Sequence, residues 1–262
     1  MAAVMPHGAE LLVPENGAEM RLRKSLDKIK EYSSKQKITT AIIFTPHNIR
    51  IPDHIGVVVT HYTKGTLAIR NKIYKAKRKC NVQIAKDIYE RAKKLKLPVV
   101  AVNFGALEGP ASCMQMDWGT LIPVKFMPRN AKIVIITPAR EISRTALIKM
   151  GEVVGEVARN SEERIAIIAS ADHAHTHSSE GPYGYSPRAK EYDEIVVDAL
   201  RKGELEQLLS MDDKLLEEAK PDNYWQLLML YGVLKHANYK PMFTEYAAPS
   251  YFGMAVSMYE IL

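Results

Sequence analysis

The feature that most constrains the fold of this chain is the alternation of short apolar runs with amphipathic helical patterns. Apolar runs of strand length occupy residues 2–6, 38–45, 55–61, 98–104, 131–137 and 164–170. Apolar residues at helical spacing occupy residues 18–34, 82–95, 143–158 and most of 187–237, with a break near Pro221. Residues 253–261 are again apolar and are expected to return to the sheet. This alternation predicts a layered α/β/α domain around a mostly parallel or mixed central sheet.

The same pattern predicts that residues 1–262 form one domain, because no repeat, low-complexity segment or linker interrupts it. The two cysteines, Cys80 and Cys113, have no C-x-x-C spacing, which disfavours both a disulfide framework and a thiolate metal site. No apolar run approaches the roughly 20 residues that cross a bilayer, and the first residues do not match a signal peptide. We therefore expect a cytoplasmic protein that does not bind membranes.

Much of the net charge of +6 lies in one basic segment, residues 64–79. One interpretation is a patch that binds nucleic acid or another anion. The other is a solvated helix face or an exposed loop. No nucleic-acid-binding motif accompanies the segment, so the second interpretation is favoured and no nucleic-acid partner is expected.

Histidines follow three of the predicted strands. His7 comes just after the first strand, His47 just after the strand at 38–45, and a run of alternate histidines at 173–177 follows the strand at 164–170. In open α/β sheets, ligands bind beyond the carboxyl ends of the strands. Converging imidazoles suit iron, zinc, copper or nickel. The sequence therefore predicts a histidine metal site at this edge of the sheet.

The run at 173–177 allows a second interpretation, in which its own histidines bind the metal, because positions two apart on an extended chain point the same way. The glycines, prolines and tyrosines of residues 178–187, Tyr183 among them, are typical of a loop that covers a site and packs against a flat ligand. A carboxylate ligand is also required. By position alone, Glu245 does not stand out from the other glutamates of the chain.

At these residues the sequence resembles the class III extradiol ring-cleavage dioxygenases, the LigB-type catalytic subunits. The resemblance covers most of the chain and rests on short motifs that share the family's order and spacing. The first two are Pro-His-Gly, which contains His7, and Thr-Pro-His, which contains His47. The third is Ser-Ala-Asp-His-Ala-His, which ends at His175 and is followed by Gly-Pro-Tyr-Gly. The fourth is Glu245, which is followed by Tyr-Phe-Gly. The resemblance implies a phosphorylase/hydrolase-like fold. It also implies an oxidoreductase of aromatic compound catabolism that uses Fe(II) and dioxygen to open a catechol-type ring next to its two hydroxyls.

The resemblance also implies roles for individual residues. His7 and His47 would be the imidazole ligands of Fe(II), with Zn or Mn as alternative metals, and Glu245 would be the carboxylate ligand. His175 matches the acid/base histidine of the family, and a histidine with its ordinary pKa of about 6.5 suits that task. His173 is the alternative base, two positions away, and otherwise a substrate-binding residue together with Tyr183.

One segment departs from the family pattern. Many relatives carry Asp-His-Gly where this chain has Asp117, Trp118 and Gly119. Trp118 does not transfer protons, so it is expected either to stack on an aromatic substrate or to pack in the core. Two other functions stay open, a non-catalytic Memo-like binding protein of the same superfamily and a zinc-dependent hydrolase. The family also implies a homo-oligomer, and a small partner subunit stays open.

Overall fold

The computed structural model describes residues 1–137 and 140–262. The strands are β1 (Ala2–Met5), β2 (Thr40–Phe44), β3 (Ile55–Val58), β4 (Tyr62–Ile69), β5 (Lys72–Lys79), β6 (Val99–Val102), β7 (Cys113–Gln115), β8 (Lys132–Thr137), β9 (Ile165–Ser170), β10 (Tyr239–Ala247) and β11 (Met254–Ile261). The helices are α1 (Gly17–Lys35), α2 (Val82–Lys94), α3 (Trp118–Val124), α4 (Arg144–Arg159), α5 (Arg188–Lys202), α6 (Asp213–Ala219) and α7 (Tyr224–Leu234).

The larger sheet has eight strands in the order β10-β11-β1-β9-β2-β8-β3-β6. Its four central strands, β1, β9, β2 and β8, run parallel to one another. On either side of them the pairing is antiparallel, between β11 and β1 and between β8 and β3. The sheet is therefore mixed with a parallel centre, and the carboxyl ends of the four central strands lie at one edge.

Helices cover both faces of this sheet, which confirms the predicted α/β/α layering. Ala41 and Ile43 of β2 face the core under α1 and α3, whereas Ile42 and Phe44 face the core under α2, α4, α5 and α7. All five residues of β2 are buried because both faces of its sheet are covered. This explains why the central strands read as continuous apolar runs in the sequence.

Two glycines bring α4 and α7 into backbone contact. A Cβ on Gly151 of α4 would lie 1.9 Å from the carbonyl oxygen of Met229, and one on Gly232 of α7 would lie 2.0 Å from that of Ile148. Only a residue without a side chain permits such an approach. The contact fixes α7, and with it the turn before α7, against the sheet. That turn contains Pro221 and separates α6 from α7, as the predicted helix break required.

A second sheet of three strands, β5-β4-β7, was not predicted. The basic segment at 64–79 was expected to be a helix face or a loop, but it forms most of the antiparallel β4–β5 hairpin. The inner face of the hairpin packs on the domain. A Cβ on Gly65 would lie 2.7 Å from Cβ of Met116 and 3.5 Å from Cδ1 of Leu121. In the described ranges, no helix is long and apolar enough to cross a membrane.

Candidate metal centre

Three polar side chains come together at the carboxyl edge of the parallel strands. His7 lies two residues beyond β1, His47 three residues beyond β2, and Asp172 two residues beyond β9. Since these strands are parallel neighbours, their ends meet at one place even though the residues are far apart in the chain. A fourth side chain, Asp222, reaches the same place from the turn between α6 and α7.

The donor atoms of His7, His47 and Asp222 have the spacing of ligands around one metal ion. The two Nε2 atoms are 3.2 Å apart, and Oδ2 of Asp222 lies 3.1 Å from Nε2 of His7 and 3.5 Å from Nε2 of His47. Metal–ligand bonds of about 2.0–2.2 Å place neighbouring donors about 3.0–3.5 Å apart. The three residues can therefore hold a metal ion together. Two histidines and a carboxylate suit non-haem Fe(II) and leave coordination positions open.

A second layer of hydrogen bonds orients His7 and Asp222. Nδ1 of His7 lies 3.0 Å from the hydroxyl of Ser170, which leaves Nε2 facing His47 and Asp222. The backbone N–H of His7 donates to Oδ1 of Asp172 at 2.9 Å, and that of Asp172 donates to Oδ1 of Asp222 at 3.0 Å. Such partners fix the ring orientation of metal-binding histidines and strengthen them as ligands.

Asp117 holds the loop that carries His47. Its carboxylate accepts hydrogen bonds from the Thr45 hydroxyl at 2.7 Å and from the Asn48 side chain at 2.9 Å, and it also caps the first turn of α3. Asn48 has a φ of 78°, a conformation that asparagine tolerates better than most residues. A Cβ on Gly119 would lie 2.6 Å from Oγ1 of Thr45 and 3.2 Å from Cδ2 of His47. Asp117 and Gly119 thus have a structural role beside His47.

The charges at this centre are strongly coupled. Burial would lower the pKa of His7, but the carboxylates of Asp172 and Asp222 outweigh it and raise that pKa to about 9. Burial raises the pKa of Asp172 to about 7, against the opposing effect of His7. Burial would raise the pKa of Asp222 too, but its contacts with His7 and His47 hold it below the usual range. The Asp222 carboxylate is therefore ionised at neutral pH.

A cavity of about 890 Å³ opens over these residues. Aromatic side chains form much of its wall, namely Trp118, Tyr183, Trp225, Tyr251 and Phe252. The ring centroid of Trp118 lies 4.2 Å from that of His47, with a tilt of 37°, and half of the Trp118 side chain remains exposed. Trp118 therefore lies beside the candidate metal centre, where a flat ligand in the cavity would meet its ring.

His175 lies on the wall of the same cavity. Its Nδ1 lies 2.8 Å from the backbone carbonyl oxygen of His173, and since a carbonyl only accepts, Nδ1 donates and Nε2 keeps its lone pair. The ring stacks on Phe252 with a centroid distance of 5.4 Å and an angle of 15°, and its edge meets Tyr183. Burial lowers the pKa of His175, so the neutral ring is favoured. This geometry suits a general base.

The expectation that Glu245 joins the two histidines is wrong. Glu245 lies on β10, the outer strand of the sheet, and its carboxylate accepts a hydrogen bond from Nε of Arg21 on α1 at 3.1 Å. One strand, β11, lies between β10 and β1, the strand that leads to His7. The carboxylate of the cluster is instead Asp222, which sequence reasoning missed. The available signal was the Pro-Asp-Asn interruption between two helical patterns.

The expectation that His173 touches substrate is also wrong. His173 is fully buried, does not line the cavity, and its ring packs at 5.8 Å from that of Tyr246. The alternate histidines of 173–177 do not form a metal site of their own. His177 contacts Asp193 at 2.7 Å, whereas His175 faces the cavity. Tyr183 lines the cavity and is 58% exposed.

The chain is similar to known proteins over nearly its whole length. Over 98% of its length the chain is 26% identical to protein CA_C1420 of Clostridium acetobutylicum, and it spans 56% of that protein. Its fold is similar to the crystal structure of protein JW3007 from Escherichia coli K12, with a TM-score of 0.62, 15% identity and 98% of each chain covered. The family model for the catalytic LigB subunit of aromatic ring-opening dioxygenase matches residues 1–257. The chain therefore belongs to the LigB family of aromatic ring-opening dioxygenases.

Proposed function

We propose that this protein is an extradiol dioxygenase that cleaves a catechol-type ring next to its two hydroxyls, using Fe(II) and dioxygen. The observation that carries the proposal is the donor set of His7, His47 and Asp222, with spacings of 3.1–3.5 Å, at an aromatic-walled cavity in a chain of the LigB family. Fe(II) at these donors would supply open coordination positions for the two substrate oxygens and for dioxygen, and the electrons that activate the latter.

The residues around the donors prepare the site before substrate arrives. The Ser170 hydroxyl and the Asp172 carboxylate hold the ring and backbone of His7, and Asp117 holds the loop of His47. These contacts set the positions of the donor atoms without the substrate, so little reorganisation is needed on binding. Trp118 offers a flat surface beside His47 for an aromatic ring.

His175 is the proposed acid/base group. Its Nε2 takes the proton of a substrate hydroxyl, and the resulting imidazolium returns a proton to an oxygen of the substrate as the ring opens. The bond from Nδ1 to the His173 carbonyl keeps Nε2 as the reactive nitrogen in both steps. The neighbouring Phe252 and Tyr183 rings cover part of the His175 ring and so favour proton transfer between enzyme and substrate.

The proposal is tested with the wild-type protein loaded anaerobically with Fe(II) and mixed with a panel of substituted catechols and isotopically labelled dioxygen. We expect oxygen uptake that depends on catechol and a ring-opened product that contains both atoms of the labelled dioxygen. The matched control is His47→Ala, which should take up no oxygen. Fe(II) binding without ring opening across the panel would contradict the proposal and favour a binding protein or a hydrolase.

A further inference from the structure

The net charge of the chain is concentrated in the β4–β5 hairpin. Residues 62–79 contain seven of the 36 Lys and Arg residues and none of the 30 Asp and Glu residues. The remaining chain therefore holds 29 basic residues against 30 acidic ones. The whole net charge of +6 arises from this hairpin, which forms a local positive region on an otherwise nearly neutral protein.

Four lysines of the hairpin project from one face. In the antiparallel register, Lys64 lies opposite Lys77, Thr66 opposite Lys75, and Tyr62 opposite Lys79. Because side chains alternate between faces and opposite residues share a face, Lys64, Lys75, Lys77 and Lys79 lie on the same side. All four are exposed. We call these four residues the lysine face.

The lysine face is not neutralised by the protein itself. Within the described ranges, none of the four lysines forms an ion pair with a carboxylate. The hairpin residue that does form such a pair is Arg70, which contacts Glu15. Like charges directly opposite one another, as at Lys64 and Lys77, destabilise a sheet. Lysines on the edge strand β5 would protect it from aggregation. Protection of an edge strand does not explain Lys64, because its strand β4 is paired on both sides.

The shape of the lysine face suits an anion with several oxygen atoms. A depression of about 400 Å³ is lined by Lys64, Thr66, Lys75, Lys77 and Gln115. Each of these side chains offers hydrogen-bond donors, and three of them are cations. A phosphate group can enter such a depression and accept from several donors at once. The flat surface of a bilayer cannot enter it.

The edge of the hairpin is closed to an added strand. Nζ of Lys125 donates to the backbone carbonyl of Lys75 at 3.0 Å, and Nη1 of Arg78 donates to that of Lys77 at 3.2 Å. These bonds occupy carbonyl groups that an incoming acidic peptide would need for backbone pairing. A partner therefore meets the side chains of the lysine face and not the backbone of β5.

Against the expectation from the sequence, which assigned this segment no nucleic-acid partner, we propose that the lysine face binds the phosphodiester backbone of a single-stranded nucleic acid. Lys75, Lys77 and Lys79 alternate along β5 and stand about 6.7 Å apart, so they form a row of cations that matches an extended chain of regularly spaced charges. Nζ of Lys77 lies 5.1 Å from the centroid of the Tyr62 ring. Tyr62 therefore adds an aromatic ring near which a base can stack. Contacts to the backbone give binding that depends on salt and little on base sequence.

The test is a fluorescence-anisotropy titration of labelled oligo(U) and oligo(dT) with the full chain over a range of salt concentrations. We expect binding at low salt. In Lys64→Gln/Lys75→Gln/Lys77→Gln the slope of log K against log salt should become shallower by about 2, because each phosphate contact on a single strand contributes about 0.7. In the single variant Lys77→Gln the slope should become shallower by about 0.7. This variant replaces the triple variant in the test if the triple variant is unstable.

The matched control is Lys24→Gln/Lys30→Gln/Lys94→Gln, which removes the same charge from exposed helix positions. It should keep the wild-type slope, which separates a local site from a general effect of net charge. The proposal is overturned if the wild type does not bind the oligonucleotides at low salt, or if the triple variant and the control behave alike. Binding to phosphatidylglycerol vesicles without binding to oligonucleotides would also overturn it.

Discussion

Nε2 of His7 lies 3.1 Å from Oδ2 of Asp222 although 215 positions separate the two residues in the chain. His7 is placed by the end of β1, and Asp222 by the turn that joins α6 to α7. A second link, from the backbone N–H of Asp172 to Oδ1 of Asp222 at 3.0 Å, ties that turn to the end of β9. The candidate metal centre therefore joins the sheet to its helical layer.

Replacing Ser170 by Ala should weaken metal binding without removing a ligand. Oγ of Ser170 lies 3.0 Å from Nδ1 of His7, and losing such an outer contact typically costs 10–100-fold in metal affinity. A competitive chelator titration measures this. Ser257→Ala is the control, since Ser257 is equally buried but bonds Thr244 in the β10–β11 hairpin. Equal affinities in both variants would contradict the assigned role of Ser170.

Replacing Asp117 by Ala should reduce both stability and metal affinity. The variant loses the cap of α3, worth about 1 kcal/mol, and frees the loop that carries His47. Denaturant unfolding and a chelator titration measure the two effects. Ser143→Ala removes the cap of α4 and should lower stability to a similar extent while leaving metal affinity unchanged. If Asp117→Ala lowers stability alone, Asp117 does not position His47.

The sequence predicted those parts of the fold and site that depend on local pattern. Continuous apolar runs identified the central strands, because strands buried on both faces need apolar residues at every position. His7 and His47 were identified because each directly follows such a strand. The β4–β5 hairpin was missed because its alternating lysines obscure the apolar residues of its inner face, such as Leu67.

The carboxylate of the cluster was missed for a different reason. Glu245 was chosen through a family motif, and a motif does not reveal that β10 is the outer strand or that Arg21 pairs with that glutamate. Asp222 lies in a helical region and reaches the centre only because α7 packs closely on α4 through Gly151 and Gly232. Such a position depends on tertiary packing.

Replacing His175 by Ala should separate proton transfer from metal binding. The variant should keep its metal and lose about 10²–10⁴-fold in turnover, as expected for a general acid/base group. Metal analysis and oxygen uptake measure the two properties. His177→Ala, whose ring pairs with Asp193 away from the cavity wall, should be milder. Loss of metal in His175→Ala would instead make His175 a ligand.

The acid limb of the pH profile of turnover should reflect the pKa of His175. A base acts when unprotonated, so activity falls as the pH drops through its pKa. Burial lowers the pKa of His175, which places the acid limb of the wild-type profile below the ordinary histidine value of about 6.5. The residual activity of His175→Ala should lack this limb. An acid limb above that value, or one retained in the variant, would assign the limb to another group.

Replacing Trp118 by Ala should weaken the binding of catechols and leave metal content unchanged. Its ring lies 4.2 Å from that of His47 and is half exposed to the cavity, so an aromatic substrate would stack on it. An aromatic pair contributes about 0.5–1.5 kcal/mol beyond burial, which corresponds to roughly a twofold to thirteenfold loss of affinity. Anaerobic equilibrium binding measures this, with Trp118→Phe as the conservative control. If Trp118→Ala binds catechols with wild-type affinity, Trp118 has a packing role and does not bind substrate.

The central claim, that Asp222 and not Glu245 completes the metal centre, is tested most directly by anaerobic Fe(II) titration of two variants. Asp222→Ala removes the carboxylate 3.1 Å from His7, and Glu245→Ala removes one that pairs with Arg21. We predict that Asp222→Ala no longer binds stoichiometric Fe(II), whereas Glu245→Ala binds it as the wild type does. Loss of Fe(II) binding in Glu245→Ala together with retention in Asp222→Ala would contradict the account.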